Sequence, residues 1–302
     1  MGFYPLTRRS WNTVEERSVR EYDKIAMSLS TSDADGVFTF TDDLLKVIDL
    51  DIARTMPDVP FFSDPGTTVT VGTSKTVTFT VSQHYLRRVI YLIARVNKGI
   101  GYVQGMNEFV ALLLYAFSQG STARLDRRVE ADCFFCFQTL LGFLGDDFCR
   151  ALDQDSDTGV HTTMRQFDNS LRLFDPEVLE HLCSLGVTSE HYALRWLLLL
   201  FIHELDLQHV LRIWDFLLSF GDELRSAAFF VAAAMCHNLR DTILASESIS
   251  DVIPHLHRYP GDQMENVLRI AMRWILVCGL EIIPKIKNAS EEEIGALRVK
   301  LI

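Results

Sequence analysis

Positive charge is in short supply. The 302 residues carry 29 Lys and Arg against 40 Asp and Glu, a formal net charge of −11. Gripping nucleic acid takes a basic surface that neutralises phosphates, so no nucleic-acid partner is expected. An anionic membrane is disfavoured on the same ground. Long hydrophobic runs are missing too. A segment such as Trp196–Ile202 falls far short of the ~20 apolar residues a membrane span needs. The first 20 residues, rich in Arg and Glu, do not read as a secretory signal. Asn288-Ala289-Ser290 fits a glycosylation acceptor, which has no consequence without a secretory route. Cysteine is sparse, with six residues, most of them inside apolar helical runs. That suits reduced, buried thiols of a cytoplasmic protein.

Several chemistries lack their residues. Cys133 and Cys136 form a C-x-x-C with no second ligand pair, and read as one face of a helix. His203-Glu204 and His209 suggest a zinc protease motif, but that motif needs its histidines four apart on one face. Here they are separated by six and by a helix break. His255 and His257, two apart, diverge on a helix. No Gly-x-Ser-x-Gly occurs, and no cysteine sits in a polar turn with a histidine in view. Paired carboxylates such as Asp42/Asp43 and Asp146/Asp147 are explained by helix caps and solvated faces. No metal or cofactor is expected on this chain.

What is present is helical periodicity around a large core, with 48% apolar residues. The spacing predicts helices over 7–30, 41–53, 85–96, 109–117, 129–144, 160–174, 175–184, 189–205, 207–219, 222–240 and 262–280. Thr41 is placed as an N-cap, and a further short helix is expected after Ser290. Residues 30–36 read as a loop, and Pro254 and Pro260 mark loops. Pro284 is expected to end the 262–280 helix. The Thr/Val alternation of 66–81 is the one β-like piece, a small hairpin or loop. The expected class is all-α, in two helical lobes, 1–155 and 156–302, divided within the polar stretch Asp153–Thr158.

Two local patterns carry chemistry. The first is Gly99-Ile100-Gly101-Tyr102-Val103-Gln104-Gly105-Met106-Asn107-Glu108, a short turn between two helices that look buried. No strand precedes it and no Gly-Lys-Ser/Thr follows, so it is not a phosphate loop. Taken alone it reads either as a plain turn holding a buried Gln104 or as a fixed mount that aims that carboxamide. The second is Ile48-x-x-Asp51-x-x-Arg54-Thr55-x-Pro57. Asp51 and Arg54, three apart, share a helix face and can pair. The pair is either a surface salt bridge or an arginine held ready for a partner.

Together these segments resemble the TBC domain of Rab GTPase-activating proteins. Ile48-x-x-Asp51-x-x-Arg54-Thr55-x-Pro57 is similar to its first signature, and Tyr102-Val103-Gln104 to its second. Tyr192-Ala193-Leu194-Arg195-Trp196, then Phe201 and Glu204, then Arg212-Ile213-Trp214-Asp215, look like its third block. The order matches, and the resemblance runs from about Trp11 to about Pro284. It implies an all-helical, two-lobed fold with Arg54 as an arginine finger and Gln104 as a glutamine finger. Both would be supplied in trans to a GTP-bound Rab. Asp51, Tyr102 and Thr55 would support the fingers. Arg195, Trp196, Trp214 and Asp215 would hold the lobes together. Mg²⁺ and GTP would belong to the partner.

Two departures bear on partner choice rather than on the fingers. Residues 66–81 have no counterpart in the shared motifs, and Asn97-Lys98-Gly99 replaces the more usual Asn-Pro-Gly. The length leaves no room for a separate lipid-binding domain, so endomembrane recruitment is expected to come through the Rab. The alternative is a catalytically silent Rab-binding or scaffolding module. The presence of both Arg54 and Gln104 favours the activator.

Overall fold

Helices dominate both halves of the chain, as the periodicity predicts. The computed structural model describes residues 11–29, 31–32, 38–39, 43–64, 68–71, 77–144 and 159–301. Its contacts divide the chain into two units, Met1–Phe148 and Cys149–Ile302. The stretch Asp153–Thr158 and the Thr41 cap lie outside the described residues. So do residues 7–10 of the first expected helix.

The first unit contains α1 (Trp11–Leu29), α2 (Asp43–Ile52), α3 (Pro60–Ser63), α4 (Val81–Val96), α5 (Met106–Phe117) and α6 (Arg127–Leu144). Strands β3 (Thr68–Val71) and β4 (Val77–Thr80) form an antiparallel hairpin within 66–81, with Val69 opposite Phe79. A second small pair, β1 (Thr31–Ser32) with β2 (Phe38–Thr39), corrects the reading of one β-like piece and of a plain loop over 30–36. Two-residue strands are too short to show the alternation that marks a strand in sequence.

Helix α4 is the centre of this unit, packing on α1, α2, α5 and α6. Thr80 starts it with a capping box: its hydroxyl accepts from Gln83 N at 3.2 Å, and Gln83 Oε1 accepts from Thr80 N at 3.0 Å. Such a cap contributes about 1 kcal/mol. From Leu86 to Ala94 every residue is buried, including Arg87 and Arg88. Those cations are buried because each meets an acid: Arg87 pairs with Asp49 of α2, and Arg88 with Glu130 of α6. The Arg87–Asp49 pair ties α4 to the helix that carries Asp51.

The second unit contains α7 (Val160–Phe174), α8 (Pro176–Ser184), α9 (Ala193–Leu198), α10 (Leu207–Leu218), α11 (Leu224–Asn238), α12 (Arg240–Ala245), α13 (Ile249–His257), α14 (Met264–Cys278), α15 (Ile282–Ile286) and α16 (Glu291–Leu301). Helix α11 is buried along nearly its whole length and packs on α7 and α14. Its Ala232-Ala233-Ala234 run admits close neighbours on every side. Ser290 starts the expected terminal helix by pairing with Glu293.

Three expectations for this unit are corrected. The helix expected over 189–205 breaks, because Leu200 and Phe201 take left-handed backbone at φ 44° and 67°. Their almost complete burial, and the bond from Trp214 Nε1 to Leu200 O at 3.1 Å, offset that strain. Pro254 lies inside α13 rather than in a loop, with Val252 and Leu256 buried on either side. Pro284 lies within α15, and α14 ends earlier, at Gly279 with φ 72°.

Candidate active site

The end of α2 and the start of α5 meet around one carboxylate. Asp51, on the last turn of α2, is 8% exposed, while the Arg54 side chain is 70% exposed. Arg54 Nη2 donates to Asp51 Oδ1 at 2.8 Å, and its Nε donates to Leu50 O at 3.1 Å. The expected three-residue pairing is therefore made. Thr55 is buried and donates its hydroxyl to Asp51 O at 2.8 Å, which folds the chain back after the helix. Met56 then takes a left-handed φ of 43° ahead of Pro57. A non-glycine residue there is strained and persists only where its surroundings hold it.

The other oxygen of Asp51 reaches the second motif. Tyr102 Oη donates to Asp51 Oδ2 at 2.6 Å, with Asn107 Oδ1 3.3 Å away. Burial and the Asp51 charge push the Tyr102 phenol well above its usual range, so it remains a donor. Gln104 lies two residues on, exposed, in the turn between α4 and α5. The turn is closed by Gly101 N donating to Asn97 O at 2.7 Å and by Met106 N donating to Val103 O at 3.1 Å. Gly101 and Gly105 have φ of 68° and 104°, which explains two of the three glycines. Gly99 has neither a positive φ nor a close neighbour, so the turn does not depend on it for backbone geometry. Among the described residues, no hydrogen bond holds the Gln104 carboxamide. The side chain is outward, not a buried turn residue.

Two residues beside the predicted ones complete the network. Asn107 donates to Thr55 Oγ1 at 3.0 Å and to Glu108 Oε1 at 3.1 Å, and its Oδ1 accepts from Gly105 N at 3.1 Å. Glu108 is buried, and burial followed by the Asp51 charge raises its carboxyl to about 7. In the sequence both stand only as part of the Gly99–Glu108 motif. The signal available was a pair of polar residues opening an otherwise apolar helix, where they are costly unless bonded.

Asp51, Arg54, Thr55 and Tyr102 are thus brought into one network, with Gln104 in the adjoining turn. Arg195 is in the second unit, where its guanidinium makes two bonds to the buried Glu204 carboxylate. That pair spans the break after α9. Among the described residues no group of His, Cys, Asp and Glu is arranged to hold a metal ion. Burial pushes the Cys133 thiol far up and the Cys136 thiol to about 12, which makes both poor nucleophiles. No helix among the described residues is long and apolar enough to cross a membrane.

Comparison with known proteins bears on the whole arrangement. Mouse (Mus musculus) TBC1 domain family member 13 is 35% identical over 162 residues, covering 54% of this chain and 40% of that protein. The GTPase-activating protein GYP1 of Saccharomyces cerevisiae is 24% identical over 238 residues, covering 72% of this chain and 33% of that protein. The chain therefore spans less than half the length of these relatives. The crystal structure of the Ypt/Rab-GAP domain of Gyp1p superposes with a TM-score of 0.72 at 21% identity, covering 90% of this chain and 84% of that one. At that identity the likeness shows the fold. The model of the family described as the Rab-GTPase-TBC domain matches residues 39–244, more than half of the chain and both motifs. By that match, the chain belongs to the Rab-GTPase-TBC domain family.

Proposed function

We propose that this chain stimulates GTP hydrolysis by a Rab-type small GTPase, with Arg54 as an arginine finger and Gln104 as a glutamine finger. The observation that carries the reading is the Asp51 carboxylate. One oxygen holds the Arg54 guanidinium, and the other holds Tyr102, two residues from Gln104.

The chemistry fits these side chains. GTP hydrolysis passes through a loose transition state with negative charge on the phosphoryl oxygens. A guanidinium is permanently charged and planar, with five donors in a fixed fork. Two of the Arg54 donors are engaged, by Leu50 O and Asp51, which leaves three for phosphate oxygens. The Gln104 carboxamide accepts from the attacking water and donates to phosphate. In this reading Mg²⁺ and GTP arrive with the partner in its GTP-bound state.

Val47 and Leu50, on the solvent face of α2 leading to Arg54, are 53% and 66% exposed. Apolar side chains in that position suit a face that the GTPase covers on docking. The N-terminal lobe, to about residue 155, carries both fingers, and Arg195 keeps the C-terminal lobe in shape through Glu204. The protein acts in the cytoplasm, brought to an endomembrane by its Rab.

The test is single-turnover phosphate release from a panel of GTP-loaded Rabs. Acceleration of one or more, lost in Arg54→Ala, supports the reading. A chain that binds a GTP-loaded Rab and accelerates none is a scaffold instead.

A further inference from the structure

Asn107 is the side chain whose bonds reach both finger segments by the residue that follows each finger. Its Nδ2 donates to Thr55 Oγ1, immediately after Arg54. Its Oδ1 accepts from Gly105 N, immediately after Gln104. The orientation of the carboxamide is fixed by chemistry. A backbone N–H only donates, so the atom facing Gly105 is the oxygen, and the nitrogen faces Thr55. The Thr55 hydroxyl gives its own hydrogen to Asp51 O, so it meets Asn107 as an acceptor.

The residue is placed to do this by α5. Gly105 is the N-cap of α5 and, as a glycine, has no side chain to cap with. Asn107, on the first turn, reaches back and accepts from the N–H of Gly105 itself. It is 5% exposed, and its second nitrogen contact, Glu108 Oε1, uses the remaining amide hydrogen. The carboxamide is therefore committed to the two segments, Tyr102 of the second included, and to its own helix α5 through Glu108. Rotating it breaks bonds at both ends.

We propose that Asn107 is a positioning residue that sets the spacing between the arginine and glutamine fingers. The inference rests on the assignment of Arg54 and Gln104 as fingers. It adds that their separation is held by this one carboxamide as well as by the Asp51–Tyr102 bond. A rate that depends on two groups meeting one phosphoryl centre is sensitive to their spacing, and a displacement of about 1 Å can cost 10²-fold.

The experiment uses a Rab that the wild-type chain accelerates. Single-turnover rates are measured against activator concentration for Asn107→Ala and for Thr55→Val. The Thr55→Val change keeps the side-chain shape and removes the acceptor of Asn107 together with the bond that Thr55 gives to Asp51 O. Asn107→Ala is expected to lower the saturating rate about 10- to 100-fold while the half-saturating concentration changes less than about threefold. Thr55→Val is expected to lower the saturating rate about 10-fold, and it decides the matter if Asn107→Ala does not fold.

A double variant separates positioning from a merely structural role. In a Gln104→Ala background, Asn107→Ala is expected to add less than about a threefold further loss, because it acts through the fingers. A full, multiplicative loss in that background overturns the proposal. So does a normal saturating rate in folded Asn107→Ala or Thr55→Val, whatever happens to the melting temperature. If Arg54→Ala is itself unimpaired, it is the assignment of the fingers that fails, and that result is read before any Asn107 variant.

Discussion

Tyr102 donates its hydroxyl to Asp51 Oδ2 at 2.6 Å, joining two segments that are 51 residues apart in sequence. The bond leaves Asp51 Oδ1 for Arg54, so the phenol and the guanidinium share one buried carboxylate. Tyr102→Phe removes the donor and leaves a buried carboxylate oxygen short of a partner. The expected cost is about 1–3 kcal/mol of stability, by urea or thermal unfolding. With Asp51 less fixed, the rate of activation is expected to fall about 10-fold. A Tyr102→Phe protein with wild-type stability and rate would show that this bond holds nothing.

Arg54 offers the opposite balance. Its side chain is mostly in water and its pair with Asp51 is partly exposed, so removing it costs little folding energy. Arg54→Ala is expected to unfold within about 1 kcal/mol of wild type, because water replaces the exposed guanidinium at Asp51 Oδ1, yet lose about 10³-fold or more in activation, the scale typical of arginine fingers. Arg54→Lys is expected to fail as well, since an ammonium lacks the planar fork. Phosphate release and urea unfolding, run on the same preparations, decide both halves.

Much of this was legible in the sequence, for reasons that can be named. Long amphipathic helices such as Val160–Phe174 match their expected bounds because one buried face repeats at helical spacing. The Asp51/Arg54 pair followed from a spacing of three on one helix. What stayed hidden depends on contacts between distant segments. Nothing local in Leu200-Phe201 announces two left-handed residues, which are held by the burial of their own side chains. Pro254 is a breaker by propensity, and the surrounding core overrides it. Asn107 became visible as a bridge only once Thr55 and Gly105 were brought to it.

The hairpin illustrates the same limit. The sequence marks 66–81 as a small hairpin or loop, and a hairpin is expected to tolerate shortening between its paired strands. The end of β4 is another matter. Phe79 is buried with Arg87 stacked 5.5 Å from its ring centre, and Thr80 both caps α4 and donates to Phe62 O at 3.1 Å. Replacing residues 72–76, between the paired strands, with a short turn is expected to leave the melting temperature nearly unchanged, because loop length costs little. Phe79→Ala is expected to cost about 3–5 kcal/mol. Equal effects from the two changes would mean that the hairpin is core throughout, or loop throughout.

Glu108 makes stability depend on pH in a stated direction. Burial raises its folded carboxyl to about 7, against an ordinary value of 4.5. Below 4.5 both states hold the proton, and this group's contribution is neutral. Between about 4.5 and 7 the folded state binds more protons than the unfolded one, so stability falls as pH rises through that window. The full displacement corresponds to about 3 kcal/mol. Glu108→Gln keeps an acceptor for Asn107 and removes the charge. Its unfolding free energy is expected to exceed that of wild type by about 1–3 kcal/mol at pH 8, with the difference vanishing near pH 4.5. Parallel pH profiles for the two proteins would show that the Glu108 carboxyl titrates normally.

Gln104 gives the sharpest test of the proposed chemistry. Its side chain is exposed on a turn whose backbone is set by Gly101, Gly105 and Asn107, so Gln104→Ala is expected to change neither fold nor loop. If the carboxamide orients the attacking water, Gln104→Ala is expected to lower acceleration about 10²-fold or more, to the remainder that Arg54 alone supplies, while binding to a GTP-loaded Rab, read with a transition-state mimic, persists. The Rab side supplies the converse. In GTPases whose own glutamine orients the water, losing that glutamine abolishes stimulation. If Gln104 is a replacement for it, a Rab with its switch glutamine changed to Leu is expected to remain substantially activated. Full activation by Gln104→Ala, or complete resistance of the Leu-substituted Rab, returns the water-orienting role to the GTPase and leaves Arg54 as the single finger.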